Sequence, residues 1–288
     1  MSLPISLKLP NGFLDGEIRE GYEVSPKLKK IWAVELDLLE KFSQVCRKYG
    51  LKYHVAYGTM LGAVRHKGFI PWDDDLDVWM LRDDYEKLAS VAETEFRYPY
   101  FLQTALSDRK FLTMNPRLRN SRTTAIVKGN ESPDYNNGIF MDIYILDGYT
   151  ESRLGYLFQY WLIRFLKRVI VAYNRSGFWK VLRVMRYETL IAVLKRVRMM
   201  FNHSAKRFST IGGFSKTGYR YALQKKDFDE SIMSQYEFLQ VPIPRNVEYF
   251  LEGEYGDWKR LPDESKRGKW HEDQIRFNPD VSYKEVLK

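Results

Sequence analysis

Residues that could do chemistry are concentrated in one segment of this 288-residue chain, residues 53–85. The segment contains a Gly-Thr pair, a basic triplet and four aspartates: Gly58, Thr59, Arg65, His66, Lys67, Asp73, Asp74, Asp75 and Asp77. Four carboxylates within five positions repel one another and disfavour both helix and strand, so the cluster lowers stability unless a cation neutralises it. A divalent metal ion is the simplest such cation, and we expect a metal site here.

Strand periodicity indicates which aspartates act together. Asp75 and Asp77 are two positions apart, so a strand over Leu76–Leu81 would turn both carboxylates to one side. A lone acid, Asp142, lies in the apolar run Gly138–Leu146, a second predicted strand. An ionised carboxylate in such a run is costly unless it is paired or bound to metal, so Asp142 is the expected third ligand. Three carboxylates from two strands would hold one or two Mg²⁺ or Mn²⁺ ions against substrate phosphates.

The Gly58-Thr59 pair supplies the complementary half of the predicted site. We expect it at a turn between a strand over Lys52–Tyr57 and a short helix over Thr59–His66. A glycine there lets backbone N–H groups approach a phosphate closely, and the N-terminus of the helix favours an anion. Gly58 and Thr59 are therefore predicted to hold the phosphate of a substrate.

Several of these residues admit a second interpretation. Asp73 is close enough to the Asp75–Asp77 pair to act as a base or as an outer metal ligand, whereas Asp74 is interpreted as a solvated loop acid that faces away. Asp75 and Asp77 could instead form structural salt bridges with Arg65 or Lys67, and Asp142 could cap a loop. His271 is interpreted as a surface histidine.

The elements that must position these residues indicate an α+β fold. Apolar residues over Lys27–Tyr49 follow the period of an amphipathic helix, with Ser25 as its N-cap, Pro26 at its first position and Gly50 as its stop. Arg82–Glu95 fits a further helix. Additional strands are predicted at Tyr100–Thr104, Leu112–Leu118 and Thr123–Val127.

Composition and charge limit the protein class. A hydrophobic content of 44% indicates a folded chain, and the single cysteine, Cys46, excludes an intramolecular disulfide and a cysteine-based zinc site. The N-terminus lacks the pattern of a secretory signal, so we expect a cytoplasmic protein. We divide the chain into a catalytic core with an N-terminal helix at 1–152, a basic helical segment at 153–226 and a C-terminal segment at 227–288 that packs back on the core, together one compact unit.

The basic segment carries the entire positive excess. Residues 153–226 contain 17 lysines and arginines and one acid, Glu188, a formal charge of +16, whereas the flanks are mildly acidic. The cations recur at helical spacing, as at Lys195 and Arg198, which predicts two helices with cationic stripes. Such helices suit the surface of an anionic membrane, although their uncharged runs are too short to span one. Alternatively, the apolar faces pack on the core and the cations are merely solvated.

The run YGTMLGAVRHKGFIPWDDDLDVWMLRDDYEKL resembles the signature of the LicD family, a branch of the nucleotidyltransferase-fold superfamily that also includes fukutin-type proteins. The superfamily pattern of a Gly-Ser or Gly-Thr turn, an Asp-x-Asp strand and a later Asp matches Gly58-Thr59, Asp75 with Asp77, and Asp142. Further family-like runs extend the resemblance from about Lys29 to His271. The basic segment is the part that matches least well.

The resemblance implies a nucleotidyltransferase-like mixed sheet flanked by helices, with the basic segment inserted. It also implies transfer of a phosphorylated alcohol, most often phosphocholine, from a donor such as CDP-choline to a sugar of a cell-surface glycan or its lipid-linked precursor. In this setting Asp75, Asp77 and Asp142 would hold the metal. Cations near the pyrophosphate would neutralise its charge, and the candidates are Arg65, His66, Lys67 and Arg119.

Two other functions are compatible with parts of the sequence. The same fold could transfer the nucleotide moiety of a triphosphate, because the sequence does not reveal the donor. A basic module without catalysis could bind a membrane through residues 153–226, but it would leave the aspartate cluster unexplained. We expect no nucleic-acid partner, because the aromatic residues of the basic segment lie on predicted helices rather than on a sheet face. A peripheral location on the inner face of the cell membrane fits the first function.

Overall fold

The computed structural model describes residues 3–109, 111, 115–129, 131–132, 134–175, 186–210, 223–267 and 271–288. In these ranges the α-helices are α1 (Pro26–Tyr49), α2 (Tyr57–Leu61), α3 (Arg82–Glu95), α4 (Arg153–Arg175), α5 (Tyr187–Arg198), α6 (Lys225–Asp229), α7 (Val247–Tyr255) and α8 (Tyr283–Val286). A π-helical turn, Gly62–His66, continues α2.

Thirteen strands are assigned within the same ranges. They are β1 (Glu17–Arg19), β2 (Tyr22–Val24), β3 (His54–Val55), β4 (Asp77–Leu81), β5 (Tyr100–Gln103), β6 (Arg117–Asn120), β7 (Thr124–Val127), β8 (Ile139–Tyr149), β9 (Arg207–Thr210), β10 (Leu223–Gln224), β11 (Ser231–Tyr236), β12 (Leu239–Pro244) and β13 (Ile275–Asn278).

The largest sheet is mixed and is organised around β8. Strand β4 pairs with β8 in parallel, while β6 and β9 pair with β8 antiparallel. Strand β3 extends the sheet beyond β4, β5 pairs with β6, and β10 pairs with β9. Helices and a mixed sheet in one core confirm the α+β prediction.

Helix α1 forms the centre of the core because its sequence buries most of its length. Ser25 caps its N-terminus by accepting from the Leu28 N–H, and Gly50 ends it in the left-handed conformation, as predicted. Its buried residues include Trp32 and Phe42, which join the apolar side chains of β4 and β8 in the main hydrophobic cluster.

The region around the Gly-Thr pair differs from the prediction. The strand before it is limited to His54–Val55, and α2 begins at Tyr57 rather than at Thr59. Strand β4 begins at Asp77, so Asp75 lies in the preceding loop and not on the strand. Leu76 and Val78 still pack in the hydrophobic core, so strand alternation places Asp77 on the opposite face, where it is also buried.

The helices of the basic segment pack on each other. Apolar residues of α4 and α5 form a second hydrophobic cluster with Tyr149 at the end of β8. The cationic stripe predicted from Lys195 and Arg198 is wrong, because Arg198 is buried against Asp147 and Lys195 pairs with Glu86. Lys180 and Arg183, an alternative pair of cations at helical spacing for this stripe, lie outside the described residues. Over the ranges described, no helix is long and apolar enough to cross a membrane.

Candidate active site

The pairing of β4 with β8 places two of the predicted metal ligands side by side. Asp77 and Asp142 are direct partners in the parallel register. Because the strand alternates, Asp142 is partly exposed between the buried Met141 and Ile143. The interpretation of Asp142 as a loop cap is therefore wrong. The Asp77 N–H donates to the buried Thr59 Oγ1 at 2.9 Å, so Thr59 positions the start of β4.

Asp73 and Asp75 lie beside this pair in the loop that enters β4. The Asp73 carbonyl accepts from Trp32 Nε1 at 2.9 Å, which ties the loop to α1. The Asp73 and Asp75 carboxyl groups are close enough to influence each other's pKa. Gly58 borders them so closely that a Cβ added there would lie 2.8 Å from Asp73 Oδ2. The Gly-Thr turn and the aspartates thus form one site.

Burial and mutual repulsion dominate the electrostatics of the cluster. Burial raises the pKa of Asp77 well above its ordinary value, and the charges of Asp75 and Asp142 raise it further. Burial and then the neighbouring aspartates likewise raise the pKa of Asp73 and of Asp75. The carboxylates are crowded together with too little positive charge to balance them.

An acid that the sequence analysis did not identify lies beneath the cluster. Glu35 of α1 is buried, and its Oε2 has no hydrogen-bond partner in the structure. Burial, followed by the charges of Asp74 and Asp75, raises the pKa of Glu35 well above its ordinary value. The available signal was a glutamate on an otherwise apolar helix face. The raised pKa favours the neutral form of Glu35 on the core side of the site.

Arg117 is a second functional candidate that the sequence analysis missed. It is the register partner of Asp142 on β6, and its Nε and Nη2 lie 2.8 and 3.3 Å from the two Asp142 carboxylate oxygens. Its guanidinium stacks 3.8 Å from the centre of the Phe140 ring. Strand alternation puts Arg117 and the predicted Arg119 on the same side of β6, so the sequence alone did not separate them.

Arg119 is placed differently from the prediction. Its side chain is buried and donates to Gln103 Oε1 and to the Gly138 carbonyl. Burial, followed by the charge of Arg117, lowers its pKa to about 9. These contacts join β5, β6 and the start of β8, so the structure gives Arg119 a role in packing.

The interpretation of Asp74 as a solvated acid is wrong, whereas His271 does lie at the surface, with its side chain 42% exposed, but it is paired. Asp74 is 2% exposed, and its carboxylate accepts from the His271 N–H at 2.9 Å and lies 2.6 Å from His271 Nδ1. The hydrogen bond to Asp74 raises the pKa of His271 to about 9, against the opposing effect of burial. His271 is therefore protonated at neutral pH, and it brings a cation from a distant part of the chain to the edge of the cluster.

The basic triplet divides into three environments. Arg65 donates to the Trp258 carbonyl at 2.7 Å and to His66 Nε2 at 2.9 Å. The His66 side chain is buried, with Nδ1 3.0 Å from Glu20 Oε1, and Lys67 is exposed. Arg65 therefore bonds to His66 and to the Trp258 carbonyl rather than forming the alternative salt bridges with Asp75 and Asp77.

An aromatic cavity of about 500 Å³ adjoins the aspartates. Its lining includes Arg65, Trp72, Tyr255 and Trp258. Trp72 directly precedes Asp73. Burial raises the pKa of the Tyr255 hydroxyl, and nearby carboxylates, including those of the aspartate cluster, raise it further. Cations already stack on two of the rings, Arg267 on Trp72 and Lys259 on Trp258, each at 5.2 Å.

The cluster is a collection of oxygen donors rather than a finished coordination sphere. Among the residues that the structure describes, no three acidic, imidazole or thiol side chains converge as preformed metal ligands. The Asp142 oxygens face Arg117, and the Asp74 oxygens face His271. In the part of the chain that the structure describes, no cation forms a comparable hydrogen bond with Asp73, Asp75 or Asp77, and burial and their neighbours keep the pKa of each raised.

Comparison with known proteins gives the class to which this arrangement belongs. Residues 50–162 match the family model described as LicD/FKTN/FKRP, nucleotidyltransferase domain. The matched region contains the Gly-Thr turn, all four clustered aspartates, Arg117 and Asp142. Residues 50–162 are therefore a nucleotidyltransferase domain of the LicD type.

Similarity to individual proteins extends beyond that region. The chain is 28% identical over 267 residues to the lipopolysaccharide cholinephosphotransferase LicD of Haemophilus influenzae, which covers 85% of this chain and 96% of that protein. An uncharacterized protein of Rickettsia prowazekii is 32% identical over 99 residues, or 28% of this chain and 37% of that protein. The first similarity includes most of the chain on both sides of the site.

Proposed function

We propose that this protein is a metal-dependent transferase that moves phosphocholine from CDP-choline to a sugar of lipopolysaccharide or of a related cell-surface glycan. The observation that carries the proposal is the carboxylate cluster at the β4–β8 edge, found in a chain that resembles a cholinephosphotransferase over nearly its whole length. An acceptor precursor held in the cell membrane would bring the reaction to the inner face of that membrane.

The donor set fits a hard divalent cation. Carboxylate oxygens are the ligands that Mg²⁺ and Mn²⁺ prefer, and crowded carboxylates without a balancing cation gain most from one. We assign Asp75, Asp77 and Asp142 as the ligands, with Asp73 next to them. When bound, the metal would neutralise the donor's diphosphate and hold it against the Gly58 turn.

The reaction itself is a substitution at phosphorus. The acceptor hydroxyl oxygen forms a bond to the phosphorus of phosphocholine, the bond between that phosphorus and the bridging oxygen breaks, and CMP leaves with the electron pair. Asp73 is the group we assign to take the hydroxyl proton, because burial and its neighbours raise its pKa toward that of a useful base. Arg117 and protonated His271 lie at the edge of the cluster, where they would balance charge on the transferred phosphoryl group.

We assign the aromatic cavity to the choline head of the donor. A quaternary ammonium ion cannot donate hydrogen bonds, and it is held by the faces of Trp and Tyr rings together with nearby negative charge. Trp72, Tyr255 and Trp258 offer such rings, and Asp257 lines the same cavity. Arg65, which also lines it, would face the diphosphate.

The choline assignment predicts a selective effect of Tyr255→Leu. We expect KM for CDP-choline to rise about tenfold, because one cation–π partner is lost, with a much smaller effect on KM for CDP-glycerol, which has no cation. Steady-state rates with both donors measure this difference. Tyr249→Leu is the matched control, since Tyr249 lies on the same helix and is similarly exposed but does not line the cavity. An equal loss with both donors would contradict the assignment.

Arg117 and Arg119 should respond to substitution in opposite ways. We expect Arg117→Gln to lower the transfer rate about 100-fold with a small effect on stability, because its cation is at the site. Arg119→Gln should lower the free energy of unfolding by about 2–4 kcal/mol, because buried acceptors lose their donor, while the folded fraction keeps most of its activity. Urea denaturation and initial rates per folded molecule separate the two effects. If Arg119→Gln instead lowered the rate and Arg117→Gln lowered the stability, Arg119 would be the phosphate-binding residue.

The proposed function is tested with purified protein, Mg²⁺, CDP-choline and a lipopolysaccharide acceptor lacking phosphocholine. We expect CMP release together with addition of phosphocholine to the acceptor, detected by mass spectrometry, and loss of both on chelation. Release of pyrophosphate from CTP, with nucleotide attached to an acceptor, would instead establish the nucleotidyltransferase alternative. A folded protein that turns over none of these donors but binds vesicles would favour the non-catalytic module.

A further inference from the structure

Helix α4 exposes a continuous apolar stripe. Its four large side chains at intervals of four, three and four residues retain much of their accessible surface: Leu154 80%, Phe158 60%, Trp161 50% and Phe165 61%. Side chains at this spacing lie on one face of a helix. A row of exposed aromatic rings over about three turns of helix is costly in water and marks an interaction surface.

The stripe is not the face that α4 uses for folding. The opposite side of the helix, including Tyr156, Ile163 and Ile170, is buried in the second hydrophobic cluster with Leu190 and Leu194 of α5. The helix therefore has one apolar face that is satisfied within the chain and another that is exposed. The exposed face requires an explanation beyond packing of the core.

Cations lie among the exposed apolar residues. Arg153, Arg164 and Arg168 are exposed on the same helix, and residues 152–175 contain no acidic residue. Arg164 donates to the Tyr160 hydroxyl at 3.0 Å, which holds its guanidinium near the stripe. Helix α5 differs in this respect, because its Lys195 and Arg198 are paired with Glu86 and Asp147.

We propose that the exposed face of α4 lies in the interface of an anionic phospholipid bilayer, with its rings among the acyl chains and its arginines at the phosphates. Exposed aromatic residues interspersed with arginine, without acids, characterise helices that lie in the plane of a membrane. Each such cation near an anionic surface adds about 1 kcal/mol of attraction. A second copy of this chain is disfavoured as the occupant, because two facing copies of the stripe would oppose like charges.

The test is co-sedimentation of the full-length protein with vesicles of phosphatidylcholine alone or with 30% phosphatidylglycerol. One variant combines Leu154→Ser, Phe158→Ser and Phe165→Ser, and another combines Arg153→Gln, Arg164→Gln and Arg168→Gln. All six side chains are exposed, so the folded state should survive. Matched controls are Ile232→Ser with Met233→Ser, exposed apolar residues of β11, and Arg196→Gln on α5.

We expect wild type and both controls to bind the anionic vesicles. The arginine variant should bind about 100-fold more weakly, given roughly a factor of five for each cation. The serine variant should also lose most of its binding, because the apolar area that enters the bilayer is removed. Binding should also be much weaker to neutral vesicles. Unchanged binding of the serine variant would overturn the proposal. So would a wild-type dimer, measured by light scattering, that becomes monomeric in the variants and does not bind vesicles. CMP release without membranes is measured on the same variants, so that loss of catalysis is distinguished from loss of docking.

Discussion

An Asp77→Asn variant should lose transfer activity by about 1000-fold and yet be at least as stable as the wild type in the absence of metal. The activity falls because the side chain that we assign as a central ligand can no longer bring negative charge to the cation. The stability is retained because burial, and then the charges of Asp75 and Asp142, raise the pKa of Asp77, so its charged form is disfavoured in the wild type. An amide there removes repulsion and can donate to the neighbouring carboxylates.

Two measurements test this expectation together. Initial rates with Mg²⁺ and CDP-choline give the activity, and thermal unfolding with and without Mg²⁺ gives the stability. Added Mg²⁺ should raise the Tm of the wild type and have little effect on the variant. Asp83→Asn, an exposed aspartate in the first turn of α3, is the control and should behave as wild type. Full activity in Asp77→Asn would refute the metal assignment.

An Asp147→Asn variant, unlike Asp77→Asn, should be strongly destabilised. We expect its free energy of unfolding to fall by about 3–5 kcal/mol. The Asp147 carboxylate is fully buried. Arg82 Nε and Nη2 donate to it at 2.8 and 2.6 Å, and Arg198 Nε lies 2.7 Å from it. Loss of the carboxylate leaves two buried guanidinium groups that repel each other.

Urea denaturation measures this loss, and Glu86→Gln is the matched control. Glu86 also pairs with Arg82, at 3.2 Å, but it is partly exposed, so we expect its removal to cost no more than about 1 kcal/mol. A loss below about 1 kcal/mol for Asp147→Asn would show that the two arginines find other partners.

The difference in stability between wild type and Asp147→Asn should depend on pH. Burial alone would raise the pKa of Asp147, but the charge of Arg198 and the hydrogen bond from Arg82 outweigh it, and the pKa is lowered. A carboxyl with a lowered pKa stabilises the fold fully above its unfolded pKa, and that contribution is lost as the pH falls through the folded value. The stability gap between wild type and Asp147→Asn should therefore be constant above about pH 5 and shrink below about pH 4.

Local features of the fold could be predicted from the sequence. The ends of α1 and α3 follow the predictions closely, because capping residues and helical periodicity act over a few positions. The strand that carries Asp142 was also predicted, since an apolar run with one acid is a strong signal. The adjacency of Asp77 and Asp142 agrees with the expectation that two strands bring them together.

Contacts between distant parts of the chain could not be predicted. The sequence around Asp74 predicts a solvated acid, because its partner His271 is almost 200 positions later in the chain. Arg117 and Arg119 share one side of β6, and only the register with β8 assigns Asp142 to Arg117. The buried pairing of Arg198 with Asp147 likewise depends on how α5 packs. Periodicity gives the face of an element but not its partner.

Strand β8 carries Asp142 and Asp147 five residues apart, so the two carboxylates point to opposite sides of the sheet. A slip of β8 by one residue would exchange these sides, turning the first acid into the core and the second away from its arginines. Either change alone would leave a buried charge without a partner, and a one-residue slip causes both changes together. The two acids therefore act as a check on strand alignment during folding, which ties formation of a competent site to formation of the correct sheet.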